Sequence, residues 1–255
     1  MATLNLQGDN TKTFAYIIQH MSLFSDYLKL QVSNDAFTIR CFNESRTSIA
    51  DVKLSMNTWF TNCVCEQDVD MFVSSSILYK MLNVLDPTKE VELQIMDTGM
   101  VIQGYNTNSK ITYNLNALVL EIEDIDVPDQ LDFMVDVTLP IKTFCNTIDN
   151  MMIVGEECVV KCSEDMMSCT SNGDNGSINI NILVDELEEY AIEEGLSIAQ
   201  CYQLKLLHII ASFHKLGDNI YLKMSSDKPL LLLYNLDTSG TSFVRFLVAP
   251  KIMDD

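Results

Sequence analysis

Apolar residues recur at helical and strand periods in alternating blocks along the chain. Over 9–27 they fall at Phe14, Ile17, Ile18 and Met21, the spacing of one helix face. Asp9 or Asn10 is placed to cap that helix, and Lys12, Tyr16 and Gln19 share the opposite stripe. Strand periods surround it at 4–6, 28–32, 36–41, 48–54 and 58–63. A second helix is predicted over 72–84, with Ile77, Leu78, Met81 and Leu82 inward, Ser76, Lys80 and Asn83 outward, and Pro87 closing the region. Residues 90–96, 100–105 and 110–117 return to alternation, with Ile111, Tyr113 and Leu115 on one face.

The same order then repeats. Leu139-Pro140 leads into a helix with Phe144, Ile148, Met151 and Met152 inward and Lys142, Asn146 and Asp149 outward. Strands are predicted at 157–162, 166–169 and 177–182, the last a Ser-Ile-Asn-Ile-Asn-Ile alternation that puts Ile178, Ile180 and Ile182 on one face. Residues 185–194 read as an acidic loop with part of a strand, 201–206 as a strand, and 207–215 as a fourth helix. That helix turns Ile210 and Phe213 inward and His208, Ser212 and Lys215 outward. Strands at 219–224, 230–234 and 242–248 precede an extended tail, Ala249-Pro250-Lys251-Ile252.

Lys12-Thr13-Phe14 with Ile18 and Met21 matches Lys142-Thr143-Phe144 with Ile148 and Met151 at identical spacing, and each set opens one half of the chain. Two helices and runs of strands per half make the fold class α+β. Between the halves, 118–133 is acidic and free of glycine, and Pro128 cannot donate to a strand ladder. It reads as a semi-rigid connector. The expected division is therefore 1–117, 118–133 and 134–255.

Composition narrows what such a chain does. Its 255 residues are 47% hydrophobic, enough for two substantial cores, and no apolar run is long enough for a membrane span. The opening residues do not read as a signal peptide. With 36 acidic against 16 basic residues, the formal charge of −20 repels nucleic acid and anionic membrane on average, so any nucleic-acid contact needs a local basic face. The outward helix stripes supply one: Lys12, Lys80, Lys142, His208 and Lys215, with Asp149 as the acidic member. Ordinary solvated helix faces are the competing explanation. The eight cysteines include no Cys-x-x-Cys and read as reduced, mostly buried thiols. Cys63 and Cys65 share one side of a strand, the only spacing that hints at a thiol- or metal-dependent enzyme. No nucleophile elbow, Walker loop or His-Glu-x-x-His occurs, and no cofactor is expected.

Several stretches resemble the proliferating cell nuclear antigen (PCNA) family of eukaryotic sliding clamps. Phe246-Leu247-Val248-Ala249-Pro250-Lys251-Ile252 followed by acidic residues is similar to the family's ending, and Ser225-Ser226-Asp227-Lys228-Pro229-Leu230 to its Ser-x-Asp-x-Pro-Leu strand entry. Val127-Pro128-Asp129-Gln130 resembles the end of the family's interdomain connecting loop, and Leu6-Gln7-Gly8 its opening. The resemblance implies a homotrimeric ring with sheets outside and helices lining a hole around duplex DNA. Such a ring acts as a DNA polymerase processivity factor and docking platform for replication and repair proteins. It is not an enzyme, is placed on DNA by a clamp loader and does not bind membrane. It would be nuclear in a cell, or in the infected-cell nucleus or viral factory if a large DNA virus encodes it.

By resemblance, Lys12 and Lys80 match basic positions of the hole, Lys215 matches after a one-residue shift, and Lys142 and His208 share the surface. Asn146 and Asp149 stand where the family usually has arginines, which weakens the second half's field. Partner peptides would dock on Phe42, Arg46, Thr47, Ile49, Ile125, Val127, Pro128, Pro229, Ala249, Pro250 and Ile252. The strand with Ile111, Tyr113 and Leu115 would pair across the ring with the strand carrying Ile178, Ile180 and Ile182. A subunit of a heterotrimeric checkpoint-type clamp is the near alternative, and an enzyme using Cys63 and Cys65 the distant one.

Overall fold

The computed structural model describes residues 1–121, 125, 127 and 131–252. The chain forms two compact units. The first comprises Met1–Val127 with Asp237–Val244, and the second comprises Pro128–Leu236 with Arg245–Asp255.

The first unit runs β1 (Ala2–Leu6), α1 (Asp9–Phe24), β2 (Tyr27–Val32), β3 (Ala36–Phe42), β4 (Ser48–Ser55), α2 (Met56–Trp59), β5 (Asn62–Cys65), β6 (Val69–Ser74), α3 (Ser75–Val84), β7 (Val91–Met96), β8 (Gly99–Asn106) and β9 (Ser109–Asn116). The second continues with β10 (Val135–Pro140), α4 (Ile141–Met152), β11 (Glu157–Cys162), β12 (Met166–Gly173), β13 (Gly176–Leu183), a 3-10 turn (Val184–Glu186), β14 (Glu189–Ile192), β15 (Ile198–Gln203), α5 (Leu204–Ala211), a second 3-10 turn (His214–Leu216), β16 (Asn219–Met224), β17 (Leu230–Asn235) and β18 (Phe243–Val248). The two series match strand for strand and in their long helices, with a 3-10 turn where the first has α2 and a second 3-10 turn after α5 that the first lacks. The repeat is therefore structural, and the fold is α+β with antiparallel sheets.

In the first unit β5-β1-β7-β8-β9 form one sheet, and β6, β2, β3 and β4 lie side by side in another. In the second, β13-β12-β11-β15 form one sheet, and β14, β10, β16 and β17 lie side by side. Helices α1 and α3 pack together in the first unit, α4 and α5 in the second. Each pair turns its apolar stripe to the sheets. Phe14, Ile18 and Met21 are buried, as are their repeat partners Phe144, Ile148 and Met151. The Phe14 ring lies 5.8 Å from that of Phe37 on β3, which fixes which face of that strand meets the helices. Each such side chain contributes about 1.5–3 kcal/mol of transfer free energy. Two buried hydroxyls tie the layers together: Tyr234 donates to the Ile210 carbonyl at 2.8 Å, and Ser75 to the Ser25 carbonyl at 2.6 Å.

Several boundaries differ from the periodicity. The first helix ends at Phe24, not 27, because Tyr27 pairs with Ser74 as β2 begins. Neither Asp9 nor Asn10 caps it. Gly8 occupies the cap position at φ 65°, a left-handed conformation that a side chain would strain. Asn10 instead donates to the Trp59 carbonyl at 2.9 Å. Residues 58–63 are not one strand, because the short helix α2 first tucks in Met56 and Trp59. The 72–84 block is the end of β6 followed by α3, and it leaves Ile77 exposed. Met152 is also exposed, at the end of α4, and Pro140 closes β10 instead of entering the helix. Helix α5 starts at Leu204 and stops at Ala211, so Lys215 lies on a separate turn and not on the stripe of His208.

The turn after β17 is built on one carboxylate. Asp237 accepts from the Thr241 and Ser242 amides, at 3.0 and 2.8 Å, and from the Thr241 hydroxyl at 2.9 Å. Burial raises its pKa, but hydrogen bonds from Ser242, Ser239 and Thr241 outweigh this and bring it to about 2. A depressed carboxyl stabilises the fold above its ordinary pKa of 3.8 and loses that contribution as pH falls toward 2. Asp237→Ala is expected to cost about 1 kcal/mol at pH 7, after allowance for solvent screening. Thermal melts at pH 7 and pH 2 check this: the gap between parent and variant should close at the lower pH.

Candidate functional site

Three surfaces matter: the helix layer of each unit, two sheet edges, and an apolar face that meets the connector.

On the helix layer, Lys12, Lys80, Lys142, His208 and Lys215 are all exposed. They are not equivalent cations. Lys12 is paired with Asp9 one turn back at 2.9 Å, a surface pair worth at most about 1 kcal/mol and readily exchanged for another anion. His208 holds Nδ1 3.2 Å from Asp149, so the carboxylate on α4 sits beside the imidazole of α5. Lys142, His208, Asp149 and His214 line an open groove of about 520 Å³ that also includes Cys145 and Asn146. The second unit's layer is therefore close to charge-balanced, which the sequence indicated through Asn146 and Asp149.

The strands with the alternating apolar stripes both lie at sheet edges. β9 ends the five-stranded sheet and is held on one side only, by β8. Gly99 permits this pairing: a Cβ there would stand 2.4 Å from the Leu115 carbonyl oxygen. β13 ends its sheet in the same way, held by β12. On β9 Ile111 and Tyr113 are half-buried and Leu115 buried; on β13 Ile178 and Ile180 are half-buried and Ile182 buried. The two stripes repeat one pattern, half-wet at the start and buried at the end. Exposed apolar side chains also occur at Ile77 and Val84 on α3 and at Met152 and Ile153 at the end of α4.

In the first unit Phe42 ends β3 opposite Ile49 on β4. The intervening turn is organised by Asn43, whose side-chain oxygen accepts from the Thr47 and Ser48 amides at 2.9 and 3.0 Å. Arg46 takes φ 55° at that turn and lays its guanidinium 5.8 Å from the Phe42 ring centroid. Ile125 and Val127 are both buried, although they belong to the acidic connector. Pro128 lies outside the described residues. In the second unit Pro229 is half-buried, while Ala249, Pro250 and Ile252 are exposed. The tail is anchored by Lys251. Its amide donates to the Cys201 carbonyl at 2.8 Å, and its ammonium pairs with Glu157, holding that carboxyl below its ordinary range.

Sequence reasoning missed the charged residues beside Phe42 and Ile49. Arg40 donates from Nε to buried Asp51 at 2.8 Å and from Nη1 to the Ile125 carbonyl at 3.4 Å. Lys29, nearly sequestered, pairs with Asp70 at 2.9 Å. The available signal was the hairpin itself: Thr38-x-Arg40-x-Phe42 facing Ile49-x-Asp51-x-Lys53 puts opposite charges in register. Among the described residues, no three His, Cys, Asp or Glu side chains gather as metal ligands.

This fold is that of a DNA sliding clamp subunit. The structure matches the crystal structure of proliferating cellular nuclear antigen from Entamoeba histolytica with a TM-score of 0.85 at 18% identity, covering 98% of this chain and 99% of that one. Residues 126–251 match the family model described as proliferating cell nuclear antigen, C-terminal domain. Proliferating cell nuclear antigen 2 of Drosophila melanogaster is 22% identical over 229 residues, which cover 88% of each chain. The second half of the chain, 126–251, belongs to the PCNA family of sliding clamps, and the whole chain has the fold of that family.

Proposed function

We propose that the chain is the subunit of a homotrimeric ring that encircles duplex DNA, confers processivity on a DNA polymerase and docks replication and repair proteins. The observation that carries this is the pairing of a clamp fold with exposed lysines on its helix layer, in a chain of formal charge −20. Enclosure holds by topology, so a few loose phosphate contacts suffice and remain blind to sequence. Lys12, Lys80 and Lys142 face the duplex in this reading, with His208 and Lys215 beside them. β9 of one subunit pairs with β13 of the next. Peptides from partner proteins contact Phe42, Arg46, Ile49, Ile125 and Val127 in the first unit, and Pro229, Ala249, Pro250 and Ile252 in the second. A clamp loader opens the ring, and the site of action is the nucleus, where the PCNA relatives suggest it.

Retention on DNA tests the reading. At low salt, after incubation with duplex, the parent should persist on molecules blocked at both ends and leave open linear ones. Lys80→Glu reverses a charge in every subunit and is expected to shorten residence on open linear duplex about tenfold at low salt, with residence on blocked duplex kept. Equal residence of the parent on blocked and open duplex would falsify encirclement.

A further inference from the structure

We propose that Arg40 is a positioning residue that straps the connector across the outer face of the first unit's sheet and so sets the surface that partner peptides meet. The idea rests on the peptide-docking reading above.

Strand register places Phe72 opposite Lys29, Lys29 opposite Arg40, and Arg40 opposite Asp51. Paired residues share a face, so these four form one row across β6, β2, β3 and β4. The row lies on the face away from α1, because Phe37, Ile39 and Cys41 alternate with it on β3 and Phe37 meets the helix. The connector begins at one end of the row, where the Leu118 amide donates to the Phe72 carbonyl at 2.7 Å. Seven residues on, the Ile125 carbonyl accepts from Arg40.

From β6 to β3 is two strand spacings, about 10 Å. Seven extended residues reach up to about 23–25 Å. Chain length alone therefore does not fix where Ile125 lies. Arg40 does. Its Nε is committed to Asp51 at 2.8 Å, and Asp51 is 2% exposed, so the guanidinium has a fixed base from which Nη1 addresses the connector. A planar fork holds both partners at fixed angles, whereas a lysine ammonium is a point donor on a flexible stem and fixes neither. Lys29, stacked 5.9 Å from the Phe72 ring centroid and paired with Asp70, adds a second cation to the row. Phe42 and Ile49 are the next pair along the same two strands on the same face, so the strap runs along the flank of the proposed docking surface.

Hydrogen exchange on the full chain, followed by mass spectrometry, reads the strap directly. Arg40→Gln is expected to speed exchange in the peptide that spans buried Ile125 and Val127 about tenfold, the effect of losing a hydrogen bond to a charged group, while the β7–β8 amides stay protected. Affinity for a peptide with an aromatic anchor should fall by about the same factor. Arg40→Lys keeps the charge but not the fork, and should exchange like Arg40→Gln. Should Arg40→Gln fail to fold, Arg40→Gln with Asp51→Asn removes both charges and is measured instead. Parent-like exchange of that peptide in these variants overturns the proposal. Faster exchange in a protein whose parent form binds no such peptide supports the strap and removes the docking reading instead.

Discussion

Tyr113→Asp is expected to convert a trimer into a monomer. The parent should sediment at three times the chain mass at micromolar concentration, and the variant at one, with unchanged far-UV circular dichroism. Tyr113 sits on β9, whose backbone is paired on one side and open on the other. An unpaired row of N–H and C=O groups beside a half-buried apolar stripe is a template for another strand. β13 offers the matching template in the second unit, with Ile178 and Ile180 equally half-buried. Joining the two between neighbouring subunits makes three identical seams per ring. A carboxylate placed within the seam must be buried without a partner, at a cost of several kcal/mol. The ring incurs that cost three times. If the Tyr113→Asp protein remains trimeric, β9 is not the seam; if the parent is monomeric, no ring forms at all.

The second large effect concerns peptide docking. Phe42→Ala with Ile125→Ala should weaken binding of an aromatic-anchored clamp-binding peptide at least about a hundredfold, because central apolar contacts each contribute about 1–2 kcal/mol or more. Fluorescence anisotropy with a labelled peptide measures the loss. Sedimentation of the same variant should match the parent, since neither residue lies on β9 or β13. Ile125 is 4% exposed, so its truncation also loosens the connector, and the two causes act in the same direction. Unchanged affinity would remove Phe42 and Ile125 from the docking surface.

Elements with one clean period were legible in the sequence. Phe14, Ile18 and Met21 and their counterparts Phe144, Ile148 and Met151 were assigned to the core and are buried there. The Ser-Ile-Asn-Ile-Asn-Ile run was assigned as a strand with one wet face, and β13 has that pattern. What failed was the junction of two periods. The block at 72–84 merges a strand and a helix because Phe72-Val73 and Ile77-Leu78 are both apolar doublets, and nothing in composition marks Ser75 as the first helical residue. Its hydroxyl bonds to the Ser25 carbonyl, a contact 50 positions away that local pattern does not carry. The predicted strand at 201–206 overruns Leu204 for the same reason: Tyr202 before it and Leu206 after it are both buried, so apolarity alone does not show where the strand stops.

The candidate site divides the same way. Exposure of lysines on helix stripes follows from spacing, and Lys12, Lys80 and Lys142 are exposed. Lys215 was displaced because the helix ended early, at Ala211. Asp149 stands out in sequence as the acidic member of the outward stripes, but its proximity to His208 depends on how α4 meets α5. Arg40 and Asp51 needed strand register, which a sequence yields only once the hairpin is aligned.

The thiols have a practical consequence. All eight are unbridged, and Cys63 alone is exposed. Burial pushes the Cys41 thiol up, and Cys162 is raised to about 11, so neither is a nucleophile while packed. A polar maleimide offered to the intact molecule therefore finds Cys63 on the short border strand β5 first, ahead of half-buried Cys65 and Cys145. The sequestered thiols answer only when their surroundings breathe. Cys41 reports on one half, and Cys158, Cys162 and Cys169 report on the other, so alkylation followed over time separates the openings of the two without any introduced cysteine.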